Sequence, residues 1–174
     1  MRSVGLLVLA NLVTFHHAFA RELDDGVLRW RFWQGVDEIK ITNAKTLESD
    51  AYTGPILICG KGSADLKLWA TLIQKPRLSK LKDRADYRGL QALVWAGSSK
   101  APCGNNVVRF ESNEADEYWE FSCKIPLRDA KQFLAEFQRS GRLGFSVAGT
   151  TDQIDDPGGS DDRKQFVKAC NSRK

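Results

Sequence analysis

From Asp37 onward the apolar residues alternate with polar ones far more often than they follow a helical period. Ile39 and Ile41 flank Lys40; Leu66, Leu68, Ala70 and Leu72 are interrupted by Lys67, Trp69 and Thr71; Leu90, Ala92 and Val94 alternate with Gln91 and Trp95. Trp119, Phe121 and Cys123 share one face of a further strand, as do Leu143, Phe145 and Val147. Ile56-Leu57-Ile58-Cys59 is a continuous apolar run behind Gly54-Pro55, the pattern of a strand covered on both faces. Gly, Pro, Asn and Asp punctuate the runs at Gly60–Gly62, Gly97–Asn106 and Asp152–Gly159. The pattern predicts a mainly β chain, an antiparallel β-sandwich or open barrel of about six to eight strands.

One segment keeps a helical period. Pro126–Arg139 places Leu127, Ala130, Phe133, Leu134 and Phe137 on one stripe, with Pro126 suited to a first turn, Asp129 near the start, Arg139 near the end and Gly141 as the C-terminal stop. It predicts one amphipathic helix packed across an end or face of the sheet. Arg21–Gln34 is ambiguous: Leu23, Val27 and Trp30 permit a helix, whereas Arg29–Trp33 reads equally as a first strand. Thr150–Lys164 is the longest polar stretch, and no internal repeat interrupts a single β-rich domain over residues 21–174.

The first twenty residues stand apart. Met1–Ala20 carries Arg2 and no acid, an apolar stretch from Val4 to Val13, and Ala18-Phe19-Ala20, the small-x-small pattern of a signal-peptidase site. Residues 1–20 therefore read as a signal peptide cleaved near Ala20, and the mature protein as periplasmic or secreted. No other apolar run approaches the roughly 18 residues of a spanning helix.

Cleavage changes the composition. The whole chain has 174 residues and a net charge of +4; without Arg2 the remaining 154 residues hold 25 Lys+Arg and 22 Asp+Glu, a net +3. Both histidines, His16 and His17, leave with the leader. A mature chain without histidine excludes Ser-His-Asp and Cys-His catalysis, His-ligated zinc and an imidazole switch.

Export places Cys59, Cys103, Cys123 and Cys170 in an oxidising compartment, where two disulfides are expected. Zinc would need Cys-x2-Cys pairs, which the chain lacks. Of the three possible connectivities, Cys103–Cys123 with Cys59–Cys170 is favoured. Val107–Glu111 and Glu117–Phe121 read as hairpin strands, and folding about residue 113 or 114 brings position 103 opposite 123 to 125. The second bridge follows by elimination.

Several features are candidates for function. Lys75–Arg84 (KPRLSKLKDR) holds five cations, Lys75, Arg77, Lys80, Lys82 and Arg84, in ten positions and is a candidate for a protein partner. Without interleaved aromatics, and with a net charge of only +3, nucleic acid is not an expected partner. Five tryptophans make a large aromatic load; Trp69 and Trp95 lie opposite the apolar faces of their own strands, so either both sheet faces are covered or these indoles form a contact surface. Asp152, Asp155, Asp156 and Asp161 surround Pro157-Gly158-Gly159 and form a weak calcium candidate whose spacing does not match an EF-hand loop. No other metal and no cofactor is expected. Acid pairs such as Asp24-Asp25, Asp37-Glu38 and Glu117 with Glu120 leave a carboxylate hydrolase as a distant possibility. Ser63, Ser79, Ser98 and Ser122 sit in no nucleophile motif.

An early tryptophan, the strand Ile56–Cys59, the alternating strand Asp65–Leu72, Tyr118–Phe121, a helix with Phe133-Leu134, Leu143–Val147 and a terminal Phe166-x-x-x-Cys170 together make a pattern. It resembles small exported bacterial proteins related to invasion-associated locus B and to the periplasmic accessory proteins encoded with type VI secretion systems. The resemblance implies a compact β-sandwich in a bacterial, periplasmic setting and transfers no functional residue. The expected function is a non-enzymatic exported binding protein acting through protein contact. The rivals are a periplasmic inhibitor or immunity protein that inserts Ser98–Asn106 or Lys75–Arg84 into a cell-wall-degrading enzyme, and a carboxylate-dependent hydrolase.

Overall fold

The computed structural model describes residues 27–45, 54–72, 86–112 and 117–172. The leader, its cleavage site and the basic segment Lys75–Arg84 lie outside them. The strands are β1 (Arg29–Gln34), β2 (Glu38–Ala44), β3 (Ile56–Gly60), β4 (Asp65–Leu72), β5 (Asp86–Arg88), β6 (Ala92–Ala96), β7 (Ser99–Pro102), β8 (Gly104–Ser112), β9 (Glu117–Pro126), β10 (Arg142–Val147) and β11 (Thr150–Asp155). The helices are α1 (Lys131–Ser140) and α2 (Ser160–Asn171). The order β1-β2-β3-β4-β9-β8-β5 makes one seven-stranded sheet and β11-β10-β6-β7 a second sheet of four, both antiparallel. The architecture is sandwich-like, with neither sheet closed into a barrel.

The alternation read from the chain maps directly onto burial. Leu66, Leu68, Ala70 and Leu72 face inward on β4; Trp119, Phe121, Cys123 and Ile125 on β9; Leu143, Phe145 and Val147 on β10. Phe121 and Phe145 meet across the sheets with ring centroids 5.2 Å apart. In the interior α2 packs on β1 and β2, and α1 packs on α2 and on β6, β7 and β10 of the smaller sheet. Trp30 is fully buried, donates its indole N–H to the Gly141 carbonyl at 2.8 Å, and stands edge-on to Phe137 at 4.8 Å. Each such buried aromatic or aliphatic side chain contributes about 1.5–3 kcal/mol of transfer free energy.

Among the described residues eleven strands form where about six to eight are expected, and the extra ones are those an apolar pattern cannot show. β5 is three residues long, β11 (TTDQID) is polar, and β7 lies inside Gly97–Asn106, which reads as a turn region. Ser98–Asn106 is accordingly no protruding loop. After the turn at Gly97-Ser98 it supplies β7 to the smaller sheet, crosses at Cys103, and enters the larger sheet as β8.

The predicted helix starts later than its stripe. Pro126 ends β9, residues 127–129 form a turn, and α1 begins after Ala130; Phe133, Leu134 and Phe137 are buried, and Gly141 closes the helix in the left-handed conformation at φ 67°. The second helix was not legible. α2 replaces the end of the expected polar stretch, and only Phe166, Val167 and Cys170 form its apolar face. Its remaining buried position is Arg163, 2% exposed, whose guanidinium donates to the carbonyls of Gln138, Asp156, Pro157 and Gly158. A buried cation that donates to four backbone carbonyls interrupts the apolar stripe and so hides the helix from periodicity. Desolvation holds its pKa below the usual arginine range, against the pull of Asp156.

Both expected disulfides are present. Cys103–Cys123 pins the point where the chain changes sheets to β9, and Cys59–Cys170 ties β3 to the last turn of α2, with Cα separations of 5.5 and 5.6 Å. Such bridges place the protein in an oxidising, non-cytoplasmic environment. No helix among the described residues is long and apolar enough to cross a membrane.

Candidate functional site

The outer face of the seven-stranded sheet carries most of the described chemistry. Pairing sets its side chains in rows. One row runs Trp33, Lys40, Ile58, Lys67 and Lys124 from β1 to β9; the next runs Ile56, Trp69, Ser122, Val107 and Arg88 from β3 to β5. A third brings Thr71, Glu120, Arg109 and Asp86 together.

Two features stand out on this face. The first is the β1–β2 tip, where Gly35 N–H donates to the Glu38 carbonyl at 2.9 Å. The turn leaves Val36 84% and Trp33 43% exposed. The Trp33 ring lies over Gly35, where a Cβ would collide with it, and the Lys40 ammonium sits 5.2 Å from the ring centroid while pairing with Glu38 at 2.6 Å. The tip thus combines exposed apolar side chains with a cation–π contact and a tight turn.

The second is a groove of about 550 Å³ between β4, β9, β8 and β5, lined by Lys67, Arg88, Asn105, Asn106, Ser122 and Lys124 among others. Its floor is a β-bulge: Gly104 pairs with Lys124 and Val107 with Ser122, so Asn105 and Asn106 together oppose Cys123. Asn105 adopts φ 47°, in the left-handed region that asparagine tolerates better than most residues. The buried Asn106 amide donates to the Leu90 and Cys103 carbonyls at 2.8 and 3.2 Å, and its oxygen accepts from Leu90 N–H at 2.8 Å. The Cys103–Cys123 bridge adjoins this bulge. The groove is therefore rigid at its base and cationic at its walls. Beside it, Asp86 accepts from Arg109 at 2.7 Å and pairs with Arg88 at 3.2 Å, and the Arg109 hydrogen bond holds its carboxyl below the usual aspartate range.

The residues expected from sequence are dispersed. Trp69 is half-buried on the outer face described above. Trp95 is half-buried on the outer face of the other sheet, flat over Gly144 with its N–H donated to Gln153 at 3.0 Å, so the two indoles form no common patch. The calcium candidates also diverge. Asp155 pairs with Arg142 at 2.8 Å, Asp156 accepts from Asn43 at 2.5 Å and from Gly158 N–H at 2.7 Å, Asp161 pairs with Lys164 at 3.0 Å, and Asp152 accepts from Gln153 N–H at 2.8 Å. Among the described residues no three His, Cys, Asp or Glu side chains gather as a metal site. Of the expected acid pairs, Glu38 is engaged with Lys40, and Asp24-Asp25 lies outside the described residues.

Lys67, Lys124 and Arg88 were missed because each is a lone cation at an outward strand position. Only the β4–β9 and β8–β5 pairings, between segments far apart in the chain, bring them together. Comparison with known proteins finds no matching family model, no matching curated protein and no matching solved structure.

Proposed function

We propose that the protein is a non-enzymatic binding protein, exported to the periplasm or beyond after cleavage near Ala20, that acts through protein–protein contact as an accessory to secretion or host interaction. The exposed tip of β1–β2 carries the reading. Trp33 and Val36 are exposed at a tight turn, and large exposed apolar side chains are the kind of anchor on which interfaces concentrate their affinity. The two disulfides are in keeping with the compartment. The resemblance of the sequence pattern to invasion-associated locus B and type VI-associated periplasmic proteins points the same way.

The test is a comparative capture. Wild-type protein and a Trp33→Ala/Val36→Ser variant, matched in far-ultraviolet circular dichroism, are crosslinked in an extract of the native compartment. A discrete partner retained by the wild type and lost from the variant supports contact through the tip; identical captures from both reject it. A retained partner that degrades cell wall, and is inhibited on binding, would replace this reading with the inhibitor or immunity protein.

A further inference from the structure

We propose that the groove over the β8 bulge binds a soluble phosphate monoester, with the phosphoryl dianion held between Lys67 and Lys124. The site is separate from the tip of β1–β2, and neither proposal depends on the other.

The central observation is the pairing of two lysines. Lys67 on β4 and Lys124 on β9 are direct cross-strand partners, both exposed, on the same face. Like charges in directly opposed positions, at a side-chain spacing of about 5 Å, oppose sheet formation. Elsewhere on this face Lys40 is neutralised by Glu38 at 2.6 Å, and Arg109 and Arg88 by Asp86 at 2.7 and 3.2 Å. Among the described residues, neither Lys67 nor Lys124 has a carboxylate oxygen within the 4.0 Å of an ion pair. Protection against edge-to-edge association, a common use for strand lysines, does not account for them, because β4 and β9 are the fourth and fifth strands of seven.

An anion between them accounts for the pair. Two ammonium groups projecting side by side can each donate to a different oxygen of one tetrahedral oxyanion, and a dianion cancels both charges where a single carboxylate would leave one. The Ser122 hydroxyl, one row away on β9, and the Asn105 side chain add neutral polar groups to the same lining. The bulge, fixed by the Asn106 hydrogen bonds and the adjoining disulfide, orders the wall before any ligand arrives. At about 550 Å³ the groove falls in the size range of small-molecule sites and exceeds what a bare phosphate fills. That excess is the reason for assigning a monoester.

The test uses the purified, disulfide-intact protein. Inorganic phosphate and glycerol 2-phosphate are titrated separately at constant ionic strength while amide shifts are recorded. Saturable shifts confined to Lys67, Gly89, Asn105, Ser122 and Lys124 are expected, tighter for the monoester, weakened at least tenfold in Lys67→Gln/Lys124→Gln and unchanged in Lys100→Gln on the other sheet. Thermal melts give a second readout. The double variant should melt no lower than wild type without ligand, and glycerol 2-phosphate should raise the melting temperature of wild type alone. Unsaturable shifts at basic residues generally, equal binding or equal ligand stabilisation in the double variant, or binding only to phosphatidylglycerol vesicles would each overturn the proposal.

Discussion

The two disulfides close loops of very different length, which makes their contributions separable. Cys59–Cys170 spans 111 positions and Cys103–Cys123 spans 20. If a bridge acts chiefly by restricting the unfolded chain, removing the longer one by Cys59→Ala/Cys170→Ala costs about 4.8 kcal/mol, and removing the shorter by Cys103→Ala/Cys123→Ala costs about 3.3 kcal/mol. The difference, about 1.5 kcal/mol, depends only on the logarithm of the loop ratio. Because the shorter loop lies inside the longer, the effective length of the larger ring falls somewhat, which alters its share by only about 0.2 kcal/mol. All four cysteines are buried, at 9% exposure or less, so the cavity left by truncation is similar for both pairs and largely cancels. Guanidinium unfolding of the two double variants, with mass spectrometry confirming that the remaining bridge is intact, reads the difference directly. The Cys59→Ala/Cys170→Ala variant should be the less stable, and its α2 amides around Phe166 and Val167 should exchange first, since that bridge anchors the helix to β3. Equal stabilities, or a less stable Cys103→Ala/Cys123→Ala variant, would refute the loop-entropy account and assign the larger share to native packing at the sheet crossover.

Further outcomes follow from local geometry. Gly159→Ala should be far more costly than Gly62→Ala: both glycines have φ near +66°, but a Cβ at 159 meets the Trp30 carbonyl whereas nothing lies within 4 Å at 62. The substitution at 62 then costs about 1–2 kcal/mol for backbone conformation alone, and matched thermal melts of the two variants check the excess at 159. Arg163→Met should destabilise by about 3 kcal/mol, since it leaves buried carbonyl acceptors at the end of α1 and in the 156–158 loop without their donor, and urea unfolding measures it. The Asp86 carboxyl should titrate below its ordinary range and move up toward it in Arg109→Gln, with Arg88 still holding it down in part, as followed by carbon chemical shifts. With its folded pKa depressed, the Asp86 pairing is fully present above the unfolded value and is lost as pH falls through the folded one.

Most of the larger architecture was legible because the core has two covered faces and strand side chains alternate strictly. The inward residues of β4, β9 and β10, the stripe and Gly141 stop of α1, and the β8–β9 hairpin that makes Cys103–Cys123 geometrically reasonable are all read from local order. α2 was not, because a buried Arg163 occupies part of its inner face. β7 was not, because four residues with a proline carry no usable period. The Asp-rich segment looked like a ligand cluster only while its side chains had no known directions; a strand, a turn and a helix start send them to four separate partners.

The chain by itself determined that the protein is mainly β and that its four cysteines form two bridges. These depend on residue identity and spacing over a few positions. The candidate groove and the cationic row beside it were decided only in three dimensions. Lys67 and Lys124 are 57 positions apart in the chain, and β4 meets β9 rather than β5 because the hairpin β8–β9 is inserted between them in the sheet. Strand order across a sheet is chosen by the packing of whole faces, and no local pattern encodes which outward side chains it will place in register.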